Sequence, residues 1–207
     1  AEAITISGQL AVRWSANTVN AYLQNVLKTE KDYVLASDTD SIYVNIGDLV
    51  DQSLNGADDE KICAFVDKVA AQKIEPLLDK CYDEMKNLVN AYEQRMVMKR
   101  EIIASKMIIT GKKRYIANVL NSEGVQYAKP KMKITGIESV RSSTPQVCRK
   151  LIEKTIDIII NEDEAAVQKF IADARVAFRK LRPEEVSFPR GVSDIEKYID
   201  NKGPDGY

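Results

Sequence analysis

Near residue 95 the apolar residues change period, and that change limits what the chain can fold into. Ahead of it, Ile62, Phe65, Val66, Val69, Ile74, Leu77, Leu78, Met85, Leu88, Val89 and Tyr92 keep helical spacing for about thirty residues. Behind it, segments 96–110, 114–120 and 125–137 alternate, punctuated by Gly111 and by Asn121-Ser122-Glu123-Gly124. A long amphipathic helix followed by an antiparallel meander makes an α+β chain, with helices backing the sheet. Pro76 falls inside the helical stretch, so the spacing predicts a kink there or two consecutive helices.

The flanks fill in around these two blocks. Residues 8–27 read as a helix through Leu10, Val12, Trp14, Val19, Tyr22 and Val26. Tyr33-Val34-Leu35-Ala36 and Ile42-Tyr43-Val44 are β-prone runs separated by Ser37-Asp38-Thr39-Asp40-Ser41, which predicts a hairpin. Asn55-Gly56 marks a loop, and Asp58-Asp59-Glu60 puts negative charge at the start of the next helix. Further on, Thr144 is the expected cap and Pro145 the first residue of a helix whose stripe is Val147, Leu151, Ile152, Thr155, Ile158 and Ile159. A break at 161–164 precedes another helix over 165–181. A turn-rich tail follows from Pro183, with a last short helix opening at Val192-Ser193-Asp194 and a loop over 201–207.

At 207 residues, 44% hydrophobic and 29% charged, the chain can build one sizeable core or two small ones and is too apolar to be disordered. No apolar run approaches the ~18–20 residues of a membrane span, and no basic-then-apolar leader opens the sequence, so a cytoplasmic protein is expected. Cys63, Cys81 and Cys148 are odd in number and far apart, which argues against a disulfide framework. There is no histidine. That excludes a Ser-His-Asp or Cys-His nucleophile built from this chain, and it directs any metal to carboxylates and hence to a hard ion.

A net charge of −1 conceals a basic block. Residues 95–150 hold 13 Lys+Arg against 3 Asp+Glu, and the other 151 residues hold 17 against 28. The block is either a polyanion-binding surface or a solvated strand face.

Asp38-Thr39-Asp40 is the sharpest chemical feature. On an extended chain, residues two apart share a face with Cα atoms roughly 6.5 Å apart. Two carboxylates that close repel unless a cation lies between them, and two-metal phosphoryl transfer uses such a pair to hold ions roughly 4 Å apart. The same three residues also occur in ordinary turns, calcium loops and sugar-nucleotide transferases, although no Gly and terminal Glu follow at calcium-loop spacing. Gly111-Lys112-Lys113-Arg114-Tyr115 sets three cations ahead of a strand, either to reach phosphates or to protect a hairpin edge.

Taken in order, these segments resemble a known family. Asp38-Thr39-Asp40-Ser41-Ile42-Tyr43 is similar to the Asp-Thr-Asp-Ser palm hairpin of family B DNA polymerases, and Lys112-Lys113-Arg114-Tyr115 to their Lys-x-Tyr motif. Met96-Val97-Met98-Lys99-Arg100-Glu101 resembles the strand that the T-even-like bacteriophage group writes Met-x-Met-Asp-Arg-Glu. Lys131-Met132-Lys133-Ile134-Thr135-Gly136-Ile137-Glu138 and Ser142-Ser143-Thr144-Pro145 match the approach to the thumb. Ala1-Glu2-Ala3-Ile4-Thr5 with Gly8-Gln9 is similar to the helix after the fingers motif. Lys99 departs from the pattern's aspartate, and Ala36-Ser37 stands where Tyr-Gly is common.

The resemblance implies an antiparallel palm sheet backed by helices over 1–144, followed by part of a helical thumb over 145–207. It implies template-directed deoxynucleotidyl transfer by two Mg²⁺ ions, for which Mn²⁺ could substitute, with primer-template DNA and a dNTP as partners. By the same resemblance Asp40 is a metal ligand and Asp38 a less direct one, and Glu101 is an auxiliary carboxylate. Thr39 and Ser41 support the turn, while Lys112, Lys113, Arg114 and Tyr115 follow the DNA. The family's upstream palm aspartate and fingers cations would precede Ala1, so the chain is expected to be a fragment, inactive alone and completed in cis or in trans. Self-association over an open palm face is a further expectation. Rival readings are a non-catalytic DNA-binding module, one subunit of a split polymerase and, last, a manganese sugar-nucleotide transferase.

Overall fold

A computed structural model of the chain describes residues 2–191, 193, 194 and 196. Along the chain run α1 (Glu2–Leu27), β1 (Val34–Asp38), β2 (Ser41–Val44), α2 (Gly47–Leu54), α3 (Asp59–Val69), a π-helical turn (Ala70–Ile74) and α4 (Glu75–Leu88). Then come β3 (Ile102–Gly111), β4 (Arg114–Ser122), β5 (Val125–Thr135), a 3₁₀ turn (Glu138–Val140), α5 (Gln146–Asn161), α6 (Glu164–Phe178) and α7 (Pro183–Val186). The fold is α+β, as the change of period requires. It divides into two compact units, Ala1–Lys133 and Ile134–Tyr207.

In the first unit two hairpins pack on helices. β1 and β2 pair antiparallel, from Val34 opposite Val44 to Asp38 opposite Ser41. β3, β4 and β5 form the meander in that order, and the β3–β4 ladder runs from Ile102 opposite Ser122 to Gly111 opposite Arg114. β4, flanked on both sides, buries Ile116, Ala117, Val119 and Leu120, so its near-continuous apolar run suits a central strand covered on both faces. The β4–β5 turn places Glu123 at φ 49° and Gly124 at φ 86°, the paired positive angles of a two-residue hairpin.

Two apolar clusters hold these pieces. The first joins Ala11, Val19 and Leu23 of α1 to Tyr33 and to Leu78, Tyr82 and Met85 of α4, with Val34, Ile42 and Val44 of the first hairpin against it. The second joins Cys63 and Val66 of α3 to Ile103 and Leu120 of the meander. Inside the first, the Ser15 hydroxyl donates to the Tyr82 hydroxyl at 3.1 Å, pairing two groups that water cannot reach. Asn20 ties the first hairpin to α1 by accepting the Tyr33 N–H at 2.7 Å.

Several expectations need correction. The helix predicted over 8–27 begins at Glu2, and it buries Ala11, Val12, Ser15, Val19 and Leu23 while Leu10 and Val26 stay exposed. At Pro76 one of the two predicted outcomes is found, with α3 and α4 following one another as consecutive helices. A π turn lies between them, where the Glu75 N–H reaches the Ala70 carbonyl five residues back, and Pro76 sits in the first turn of α4. Residues 96–101 form no strand. Met96, Met98 and Arg100 turn inward and Val97 and Lys99 outward, but no ladder partner lies beside them among the described residues. Alternation there reports burial without pairing.

In the second unit α5 starts one residue later than predicted. Pro145 is its cap residue, no side chain caps it, and Thr144 lies outside the helix with its N–H on the Arg141 carbonyl. α5 buries Ile156, Ile158 and Ile160 and exposes Ile159, which the predicted stripe had turned inward. α6 packs along α5 and is capped by Asp163, whose carboxylate accepts the Ala166 N–H at 2.9 Å. The expected helix at Val192-Ser193-Asp194 and the loop over 201–207 lie outside the described residues, in part and in full respectively. No helix among the described residues is long and apolar enough to cross a membrane. The three cysteines are free, two of them buried.

Candidate active site

The β1–β2 turn is built from three local bonds. Thr39 adopts φ 53°, a region that β-branched residues rarely enter. The Asp40 N–H donates to the Asp38 carbonyl at 2.6 Å, closing the turn over two residues. The Ser41 hydroxyl donates to the same carbonyl at 3.1 Å, and the Thr39 hydroxyl to the Asp38 carboxylate at 3.1 Å. Thr39 and Ser41 thus both serve the turn. Because Thr39 leaves the extended region, the simple two-residue alternation does not run through Asp38 and Asp40. Asp38 is partly covered and Asp40 is exposed.

The tip of the β3–β4 hairpin meets this turn. Lys113, itself at φ 56°, places its ammonium 2.9 and 3.1 Å from the two Asp38 carboxylate oxygens and 3.5 Å from the Thr39 hydroxyl. This pair spans 75 positions of sequence. The Lys113 ammonium, and after it the Thr39 hydroxyl, hold the Asp38 carboxyl below the usual carboxylate range, against a smaller opposing effect of burial. Below them the rings of Tyr43 and Tyr115 lie 5.6 Å apart at 58°, a tilted aromatic pair. Burial, and then the neighbouring Tyr115, push the Tyr43 hydroxyl above its ordinary range.

A cleft of about 440 Å³ opens between the hairpins, lined by Asp38, Thr39, Lys112 and Lys113 together with Tyr43, Met107, Ile109 and Tyr115. Lys112, one of the lining residues, is exposed. Arg114 pairs in register with Gly111 at the base of the tip. The structure therefore gathers Asp38, Thr39, Lys112, Lys113 and Tyr115 at one opening, with Asp40 and Ser41 on the same turn.

Glu101 is not brought there. It precedes β3 at the other end of the ladder, with all of β3, roughly 33 Å of extended chain, between it and Gly111. Its carboxylate lies 3.5 Å from the Lys133 ammonium. Among the described residues no three acidic or cysteine side chains come together to enclose a metal. A hard divalent ion nevertheless fits the donors that are present. Asp40 makes no side-chain hydrogen bond or ion pair among the described residues, and Mg²⁺ commonly takes one or two carboxylates and completes its shell with water and substrate phosphates. Asp38 fits less directly, because Lys113 already neutralises it.

Tyr43, Met107 and Ile109 were missed from sequence. Tyr43 reads there as one strand residue among several, and only the packing of two hairpins distant in sequence turns it toward Tyr115. The recurrence of tyrosine after each charged turn, Ser41-Ile42-Tyr43 and Lys113-Arg114-Tyr115, was the available signal.

Known proteins share these segments. The model of the divergent family B DNA polymerases matches residues 10–173. Two proteins named DNA-directed DNA polymerase are similar along nearly the whole chain. That of Enterobacteria phage T4 is 33% identical over 100% of this chain, and that of Escherichia phage RB69 is 37% identical over 96% of it. The chain spans 24% and 23% of their respective lengths.

Proposed function

Because the chain belongs to the divergent family B DNA polymerases, we propose that it supplies one wall of the site at which such an enzyme joins a deoxynucleotide to a primer on a template. The observation that carries this reading is the Lys113 ammonium on Asp38, which joins the aspartate turn and the basic turn at one cleft. In this reading 1–144 is the later part of a palm and 145–207 the start of a thumb, and the protein acts in the cytoplasm of a phage-infected cell.

Asp40 is the metal ligand that this wall offers, with Asp38 beside it as an adjusting charge. Mg²⁺ ions bound at such carboxylates supply electrostatic stabilisation of the attacking and leaving oxygens in phosphoryl transfer. The protein's part is positioning. Thr39 and Ser41 fix the turn, so that Asp40 faces solvent at a set distance from the basic tip. Lys113 neutralises Asp38, which lowers the repulsion between two neighbouring carboxylates before any ion or DNA arrives. Lys112, exposed beside it, meets backbone phosphates, and Arg114 and Tyr115 continue that contact along β4. The tilted tyrosine pair gives the cleft an apolar wall for a sugar or base edge.

One wall does not make a complete site. Among the described residues Asp38 and Asp40 have no third carboxylate grouped with them, and we take the chain to need the remainder of a polymerase, joined to it or separate, for catalysis. A second reading is favoured by the engaged state of Asp38: the chain binds DNA through its basic residues without catalytic duty. Self-association over an open palm face is a further proposal compatible with either reading, and the family gives no support to sugar-nucleotide transfer.

Primer extension with Mg²⁺ separates the readings. The chain is assayed alone, and then with a second chain carrying the rest of the phage RB69 relative, each time beside Asp40→Ala. Activity in the mixture that disappears with Asp40→Ala supports the proposal. Extension by the chain alone would overturn the claim that it is incomplete. Silence in both, with salt-sensitive duplex binding retained, would favour the non-catalytic reading.

A further inference from the structure

A row of three lysines outside the cleft lies on β5. Tyr127, Lys129, Lys131 and Lys133 occupy every second position of that strand, and alternation sets them on one face. The geometry agrees, because the Lys131 ammonium lies 4.3 Å from the centre of the Tyr127 ring, four residues back along the same face. No Asp or Glu occurs from Val125 to Ile137. Lys133 is partly compensated by Glu101 at 3.5 Å. Lys129 makes no hydrogen bond or ion pair among the described residues, and Lys131 has only the ring.

Lysines on edge strands commonly guard against the addition of another strand. Here Pro130 already withholds an N–H from the edge, so three further lysines on one face exceed that need. Their spacing carries the argument further. Residues two apart on a strand are about 6.6 Å apart, close to twice the ~3.4 Å rise per nucleotide along one strand of duplex DNA. That rise is measured along the helix axis; the backbone winds round the axis, so its neighbouring phosphates are about as far apart as these lysines, and a backbone following β5 would present successive phosphates to successive lysines. With Lys131 over its ring, Tyr127 is occupied as a stacking platform, so the row offers charge rather than base contacts.

We propose that Lys129 and Lys131 form a second phosphate-contacting row, separate from the basic turn at 112–114, which holds the backbone of duplex DNA without regard to sequence. The identity of the polyanion rests on the polymerase reading above, whereas the row itself rests on the strand.

The test is fluorescence anisotropy of the whole chain with two labelled duplexes of unrelated sequence, from about 50 to about 200 mM salt. It compares wild type, Lys129→Gln/Lys131→Gln, Lys129→Arg/Lys131→Arg and Lys112→Gln/Lys113→Gln, with circular dichroism confirming equal folding. Each phosphate contact contributes about 0.9 to the log–log salt slope, so the β5 glutamine variant should lose about 1.8. The fall in its affinity across that salt range should then be about tenfold smaller than for wild type, equally for both duplexes, and the arginine variant should match wild type. An unchanged slope in the β5 variant, with a reduced slope in the 112/113 variant, would overturn the row and leave the polymerase reading standing. Unequal effects on the two duplexes would also overturn it. No salt-dependent binding by wild type would overturn both.

Discussion

Replacing Arg100 with methionine should destabilise the first unit by about 2 kcal/mol, and the structure gives the contributions. The Arg100 side chain is 13% exposed, and it links the segment before β3 to β4 and to α3. One terminal nitrogen donates to the Asn121 side-chain oxygen at 2.8 Å and, at 3.3 Å, to the Glu101 carbonyl. The other pairs with Asp67. A charged donor on a buried neutral acceptor contributes ~1.5–3 kcal/mol. Asp67 is 54% exposed, so its pairing is screened and adds at most ~1 kcal/mol. Opposing these, the Arg100 Nε is buried without an acceptor among the described residues, at a cost of ~1–2 kcal/mol. Methionine keeps much of the apolar stem, and the Asn121 oxygen retains the Gly124 N–H at 3.2 Å, so neither a cavity nor a new orphan adds to the loss. Urea unfolding followed through Trp14, the single tryptophan and a residue of the same unit, should show the midpoint falling by about 1 M at constant slope. Amide exchange at Gly124 should quicken as Asn121 loosens. A midpoint shift below about 0.2 M would refute the reasoning, because it would mean that desolvating the guanidinium cancels every bond it makes.

Three further outcomes are expected. Ser15→Ala should cost ~1–3 kcal/mol by leaving the buried Tyr82 hydroxyl without its partner, and adding Tyr82→Phe should recover part of that in the same unfolding assay. The Asp38 carboxyl, held low by Lys113, should titrate on the acid side of the usual carboxylate range by carbon-detected NMR, and Lys113→Met should move it upward. The sign follows: the pair's contribution to stability is complete above the ordinary carboxylate range, declines as pH falls through that range and is lost once pH passes below the depressed folded value. Burial pushes the Cys63 and Cys81 thiols upward, so both should resist an aromatic disulfide reagent at neutral pH in the folded chain and react once urea unfolds it.

Where burial and local turn chemistry decide the structure, the residues announce it. The helical period of 62–92, the Glu123-Gly124 turn and the aspartate hairpin are legible because each rests on neighbours within a few positions. α2 escaped notice because eight residues with only Leu49, Val50 and Leu54 as apolar members give too short a period, although Asn45, whose side chain accepts the Gly47 N–H at 2.9 Å, was a usable start signal. Segment 96–101 misled for the opposite reason, since its alternation is real and the missing element is a pairing strand. In the cleft, the charged residues stood out through their turns. Their contact, and the part played by Tyr43, depend on two hairpins meeting across 75 positions, which no local pattern encodes.

The π turn at Ala70–Ile74 bears on how this chain can change in length. α3 turns Cys63 and Val66 toward the meander, whereas α4 turns Leu78, Tyr82 and Met85 toward α1. Each residue rotates a helix by about 100°, so the extra residue in that turn acts as a phase shift between two halves of one rod serving different cores. Deleting a single residue between 70 and 74 would rejoin the rod smoothly and turn one of its two apolar stripes toward solvent. A gap of one residue there would then be more damaging than several in the Asn55-Gly56 loop. Among descendants of this sequence, the spacing from Val66 to Leu78 should stay fixed while the residues filling it drift.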